Sequence, residues 1–272
     1  MAAVADLQGP TIPVRPPLKW AGGKRWLVPH LAELWTARRR SRLVEPFCGG
    51  LAVALSLRPK RALLNDINPH AVHFYSWLKQ GLKVNDGLEF DNCEALYYKH
   101  RSRFNQLISD GGAESAEAAA LFYYLNRICY NGLCRFNSSG HFNVPFGRYK
   151  RINYKRDFSS YRCILGNWQF STGDFEQVSV EPDDFLYADP SYDVEFRSYS
   201  KEGFSWDDQV RLAEWLSKHR GPTVLSNQAT DRILRLYAKL GFKLRMIDAP
   251  RMINCTGDRS PAKEVLATRG LD

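Results

Sequence analysis

The chain has 272 residues, of which 44% are hydrophobic and 25% charged, and its formal net charge is +9. That is the length and balance of one large globular domain, or of a domain carrying a sizeable insert. No apolar run reaches the roughly 20 residues of a membrane-spanning helix, and Met1 to Pro17 lacks the charged start and apolar core of a signal peptide.

A cytoplasmic location is therefore expected. The basic balance is compatible with a polyanionic partner, because phosphate contacts release condensed counterions. The run Arg38-Arg39-Arg40 with Arg42 adds little, since cations there also favour the C-terminal end of a preceding helix. The six cysteines, at 48, 93, 129, 134, 163 and 255, contain no C-x-x-C pair. Reduced, packed thiols are expected, and a metal site is not.

In chain order, Pro16-Pro17 ends a loose N-terminal arm. Pro29 to Ala37 reads as a helix, and Ser41 to Pro46 as a short buried strand ending in Glu45. After Gly49-Gly50, Leu51 to Leu57 reads as an apolar helix. Ala62 to Leu64 is a second strand, running into Asn65-Asp66-Ile67-Asn68-Pro69. Strand, glycine turn, helix, strand and acid in that order make a βαβ unit. From His70 to about Tyr154 the texture changes. Helices over Ala71–Gln80, Ala95–Ile108 and Ala116–Ile128 surround an aromatic, Asn-, Gly- and Arg-rich segment from Tyr130 to Tyr149. Alternation then returns, with a strand at Phe185–Ala188, a helix at Trp206–Lys218, a strand at Thr223–Ser226 and a helix at Asp231–Leu240. Phe242–Asp248 and Glu264–Thr268 read as a closing strand pair. The simplest architecture is an α/β sheet domain interrupted by a mainly helical insert.

Ligands of open α/β sheets bind beyond the carboxyl ends of the strands. Glu45-Pro46-Phe47-Cys48-Gly49-Gly50 lies at one such end, and Asp66, where a carboxylate can accept from ribose hydroxyls, at the next. The turn lacks G-x-G-x-x-G, which favours a nucleoside cofactor over a dinucleotide; a tight turn with a helix-capping Asp reads equally well. Leu18-Lys19-Trp20-Ala21-Gly22-Gly23-Lys24 is not a phosphate loop. Its lysines suit a carboxylate, a phosphate or solvent.

Asp189-Pro190-Ser191-Tyr192 follows an apolar strand. Such a loop suits methylation of an aromatic amine, whose nitrogen lone pair is delocalised into the ring. An acceptor at Asp189, with a carbonyl such as that of Pro190, can hold the amino group and localise the lone pair. The Tyr192 ring can stack on the base, and proline keeps the acceptors in place. Taken alone, the same four residues are also an ordinary Asp-Pro turn.

Together these segments resemble the Dam family of DNA adenine-N6 methyltransferases. The most specific match is Leu125-Asn126-Arg127, Tyr130-Asn131-Gly132-Leu133-Cys134-Arg135 and Gly140-His141-Phe142-Asn143-Val144-Pro145-Phe146-Gly147-Arg148-Tyr149. Leu18–Lys24, Glu45–Gly50, Asn65–Asn68, Tyr187–Tyr192 and the tail from Gly257 to Ala267 extend it. The resemblance implies a Rossmann-like methyltransferase sheet with a mainly helical DNA-recognition insert containing a β-hairpin. Residues 1–68 and 156–272 would form the S-adenosylmethionine-binding catalytic domain, and 69–155 the target-recognition domain. It implies S-adenosylmethionine held by Trp20, Lys24, Phe47, Gly49, Asp66, Asp174 and Phe175, and catalysis by Asp189, Pro190 and Tyr192. The partner implied is double-stranded DNA, with no metal and no membrane; a monomer is expected. Lys19 and Arg135 would recognise guanine, Leu133 and Pro145 make apolar contacts, and Tyr130 wedge into the duplex beside Asn131. Arg127, Arg148 and Lys150 would grip phosphates. These readers imply GATC as the target, methylated on a flipped adenine. The family tetrapeptide normally reads Asp-Pro-Pro-Tyr. Here Ser191 replaces the second proline and loosens the loop. Methylation of RNA or a protein amide, and a non-catalytic DNA-binding role, are the rival expectations.

Overall fold

The computed structural model describes residues 14–84, 87–192, 204–250 and 262–271. The N-terminal residues 1–13, Cys255 and the 257–261 part of the tail match lie outside the described residues.

Seven strands form one sheet in the order β3-β2-β1-β4-β5-β7-β6. They are β1 Leu43–Glu45, β2 Ala62–Asp66, β3 Trp168–Thr172, β4 Phe185–Ala188, β5 Thr223–Gln228, β6 Lys243–Ala249 and β7 Ala262–Arg269. β3, β2, β1, β4 and β5 run parallel, while β7 lies antiparallel between β5 and β6. The central strands β1, β2 and β4 are buried at every position. They can be nearly continuous apolar runs because helices cover both faces of a parallel sheet.

Alternate side chains serve the two faces. Leu43, Leu64, Phe185 and Tyr187 join one core cluster with Leu31 and Trp35 of α1 (Val28–Thr36), Val53 to Leu55 of α2 (Ala52–Leu57) and Phe74 of α3 (Pro69–Gln80). Val44, Leu63, Leu186 and Ala188 join the other, with Leu212 and Leu216 of α7 (Trp206–Ser217) and Ile233 and Tyr237 of α8 (Asp231–Lys239). The result is a three-layer α/β Rossmann-like methyltransferase fold.

Between β2 and β3 lie α3, α4 (Glu94–Ser109), α5 (Ala116–Ile128) and α6 (Ser159–Leu165). Asn68 caps α3 by accepting from the amides of His70 and Ala71, Pro69 opens its first turn and Gly81 ends it at φ +97°. In α5 the stretch Ala118 to Asn126 is buried throughout, and Phe74 stacks on Tyr123 with centroids 5.4 Å apart. Burial lowers the His70 pKa to about 4, so its imidazole is a neutral packing group against Phe136.

The hairpin expected in the insert is reduced to two isolated antiparallel bridges, Cys129 with Phe146 and Phe136 with Phe142. Its tip is a turn closed by the Gly140 amide donating to the Asn137 carbonyl, 2.9 Å. Two elements carry no clear signal in sequence. β3 buries only Trp168, because it is an edge strand, and α6 is a short helix of 7 residues.

Candidate active site

Strand order reverses around β1, whose neighbours are β2 and β4. Three acids stand at the carboxyl ends there: Glu45 closes β1, Asp66 closes β2 and Asp189 follows β4. This is the crevice where open sheets bind ligands.

The turn after β1 is tied to the end of β2. The Cys48 amide donates to the Asn65 carbonyl (2.8 Å), and the Gly49 amide to Asp66 Oδ2 (2.8 Å). The Asn68 amide donates to Asp66 Oδ1 at 2.9 Å. Burial raises the Asp66 pKa against these two bonds. Gly49 has φ +45°, and a Cβ there would lie 2.6 Å from Trp20 Nε1. The glycine therefore admits the indole of Trp20, which packs on the turn. Glu45 is 2% exposed, and its Oε1 has no hydrogen-bond partner. Burial, then Asp189, pushes its pKa well up. An unsatisfied buried carboxyl oxygen is costly and marks where a polar ligand group fits.

On the β3 side, Phe47 packs on Phe175 with centroids 5.7 Å apart. Asp174 caps the following turn by accepting from the Glu176 amide (2.9 Å) and pairs with Arg211 through two bonds of 2.9 and 2.8 Å. Arg211, whose guanidinium also lies over Phe175 at 4.4 Å, lowers the Asp174 pKa.

Asp189 is held from two directions. Lys24 Nζ lies 3.0 Å from its Oδ1, and Ser226 Oγ donates to the same oxygen at 2.9 Å. Ser226 also meets the Tyr187 hydroxyl at 3.0 Å. Burial raises the Asp189 pKa, while Lys24 and Ser226 pull it back. Lys24 donates to the Tyr192 hydroxyl and sits 4.3 Å from that ring's centroid. Burial, then Asp189, raises the Tyr192 pKa, and Glu264 of β7 faces the same hydroxyl. Lys24, assigned by resemblance to the cofactor, thus bridges the first and last residues of the tetrapeptide.

The residues expected on DNA divide into two groups. Tyr130 is 51% exposed and Leu133 38%; Asn131, Arg135, Pro145, Arg148 and Lys150 are exposed too. Arg135 Nε donates to Asn143 Oδ1 (2.9 Å), and Arg148 lies 3.6 Å from Glu94. Lys19 and Arg127 are turned inward. The Lys19 backbone exchanges bonds of 2.7 and 2.8 Å with the Asn126 amide, and its Nζ donates to the Arg127 carbonyl and covers the Tyr149 ring. Burial, then Arg127, lowers the Lys19 pKa. Arg127 Nη2 donates to the Asn153 carbonyl at 2.7 Å. Gly132 permits this packing, since a Cβ there would lie 2.4 Å from Lys19 Cβ.

Glu45, Tyr187, Ser226 and Glu264 also line this region, and no sequence motif marks them as site residues. Glu45 had one signal, an acid closing an apolar strand; Ser226 and Glu264 lie in strands where spacing carries no hint of partners.

Residues 20–253 match the family model described as D12 class N6 adenine-specific DNA methyltransferase. The chain is 35% identical to a DNA adenine methylase of Vibrio cholerae over 92% of its own length and 94% of the relative's. It is 34% identical to the type II methyltransferase M.MjaIII of Methanocaldococcus jannaschii, covering 90% and 95%. With the DNA adenine methylase of Escherichia coli K12 the identity is 32%, covering 92% and 93%. The methyl donor of such an enzyme is S-adenosylmethionine. The orphaned Glu45 oxygen and the glycine turn beside Phe47 and Asp66 fit a ligand that carries an ammonium and a nucleoside. The chain belongs to the D12 class of N6 adenine-specific DNA methyltransferases.

Proposed function

We propose that this enzyme methylates N6 of an adenine flipped out of duplex DNA, within GATC. The observation that carries the reading is Asp189, at the end of β4, held at Oδ1 by both Lys24 and Ser226. Its Oδ2 is then the oxygen assigned to the adenine amino group. Tyr192 is the stacking ring, and the carbonyl of Pro190 the second acceptor. S-adenosylmethionine, when bound, supplies a methyl group made electrophilic by its sulfonium. Asp66, Gly49, Phe47, Trp20, Asp174 and Phe175 are the residues assigned to hold it, with Glu45 a candidate for its ammonium.

The target adenine N6 is out of reach inside a duplex, hence flipping. Tyr130, exposed beside Asn131, is the wedge. Arg135 reads guanine, Leu133 and Pro145 line the base edges, and Arg148 and Lys150 take phosphates. Lys19 and Arg127 join them by exchanging their present bonds to carbonyls for bonds to DNA. Residues 69–155 act as the recognition unit, and 1–68 with 156–272 as the catalytic unit. Plasmid DNA treated with enzyme and S-adenosylmethionine, then cut with a nuclease blocked by adenine methylation at GATC, is expected to be protected. Modification at another sequence overturns the target, and transfer by Asp189→Ala at the wild-type rate overturns the site.

A further inference from the structure

We propose that Gln209 is a positioning residue, holding the adenine-binding loop through the carbonyl of Ser191 and supplying a restraint that Ser191 itself cannot. The inference rests on reading Asp189–Tyr192 as that loop.

Pro190 has a fixed φ, but Ser191 does not, and it is exposed. Its carbonyl is the last backbone acceptor before the Tyr192 ring. Gln209 Nε2 donates to it at 2.8 Å, from a side chain only 1% exposed. Glutamine is rarely buried so fully, and here both ends of its amide are satisfied. Gln209 Oε1 accepts from Asn227 Nδ2 at 2.9 Å, and the same nitrogen donates to the Tyr237 hydroxyl at 3.0 Å. Asn227 Oδ1 in turn accepts from the Gln228 amide at 2.8 Å.

That last bond sets the polarity of the whole relay. With Asn227 Oδ1 engaged by a backbone N–H, its Nδ2 must face Gln209 Oε1. The Gln209 amide then has its own N–H₂ aimed at Ser191. Turned over, it would set donor against donor at Asn227 and acceptor against acceptor at Ser191. The support is stiff: Gln209 opens the second turn of α7, behind a capping box of Ser205 and Asp208. Leu212, Ala213 and Leu216 seat the helix in the core, and Asn227 lies in β5. A loop built for near-attack geometry loses rate steeply with small misplacement, so the relay acts on chemistry rather than on affinity.

The experiment measures single-turnover methyl transfer to plasmid DNA at saturating S-adenosylmethionine, with cofactor affinity and melting temperature beside it. Gln209→Met is expected to slow transfer by about 10- to 100-fold while cofactor affinity is unchanged. In a Ser191→Pro background, where φ is fixed covalently, the same substitution is expected to cost several-fold less. An equal loss in both backgrounds, or no loss in the native one, overturns the proposal. Asn227→Asp keeps the shape but reverses the polarity of the link; a comparable loss supports the relay, and an unchanged rate overturns it. Asp189→Ala separates the two readings. If it remains active, the loop assignment fails and the proposal with it. If it is inactive while Gln209→Met is fully active, the role of Gln209 alone fails.

Discussion

Replacing Lys24 by methionine deletes the cation 3.0 Å from Asp189 Oδ1 and keeps the length of the side chain. The two side chains are 6% and 18% exposed, so the pair is shielded without being sealed. At an effective dielectric of about 20, unit charges at that separation attract by roughly 5 kcal/mol before desolvation is subtracted. Deleting one partner of such a buried pair costs about 3–5 kcal/mol, because the other is left uncompensated. The pKa moves accordingly. Burial raises the Asp189 pKa, and Lys24 is the first of the groups lowering it, because a neighbouring opposite charge favours the ionised form. On the proposed reading Asp189 accepts the adenine amino group as the carboxylate, so transfer is expected to fail as pH falls through its pKa. Without Lys24 that pKa rises further, and the acid limb of the rate profile moves to higher pH. The sign for stability is consistent. A carboxyl with a raised folded pKa favours the folded state below that pKa and loses the advantage as pH rises through it. The variant is therefore most destabilised at neutral and alkaline pH. Single-turnover transfer against pH, with cofactor affinity and melting temperature at each point, tests this. Identical acid limbs in the two proteins would refute the reasoning, and a loss confined to cofactor affinity would return Lys24 to the cofactor.

Arg135→Ala is expected to relax base discrimination by about 1–3 kcal/mol in competition between duplexes. Arg148→Ala should weaken binding to all duplexes alike and flatten its salt dependence, as read by titration at several ionic strengths. Gly49→Ala places a Cβ 2.6 Å from the Trp20 indole at φ +45°; thermal unfolding should show a loss of about 1–3 kcal/mol, with weaker cofactor binding. Arg211→Ala frees Asp174, whose pKa Arg211 lowers. A depressed carboxyl pKa gives stability present above its unfolded value and lost as pH falls through the folded one. The melting difference from wild type, of the size of an exposed ion-pair network at about 1 kcal/mol, should therefore be seen at neutral pH and vanish in acid.

Residues whose role follows from neighbours in the chain were legible in sequence. The apolar runs at Leu43–Glu45 and Phe185–Ala188 with the acids that end them, and the Tyr130–Arg148 block, could be picked out because strand ends and turns are local features. The parallel order was legible too, because the βαβ unit joins its strands by a helical crossover that also covers a face of the sheet. The edge strand Trp168–Thr172 was illegible for the converse reason: one buried position leaves no periodic pattern.

Side-chain direction was a different matter. Lys19 and Lys24 sit in one glycine-containing turn, and their spacing left carboxylate, phosphate and solvent equally open. The tertiary structure sends Lys24 to Asp189 and Tyr192, and Lys19 to Asn126, Arg127 and Tyr149. Those partners lie more than 100 positions away, beyond any local pattern. The same holds for Ser226 behind Asp189 and Gln209 behind Ser191. The sequence placed acids at the ends of apolar strands and, through the family resemblance, pointed to the cofactor and the polymer. The fold alone decided which charged groups face one another, because that depends on β4, β5 and α7 being packed together around a shared core.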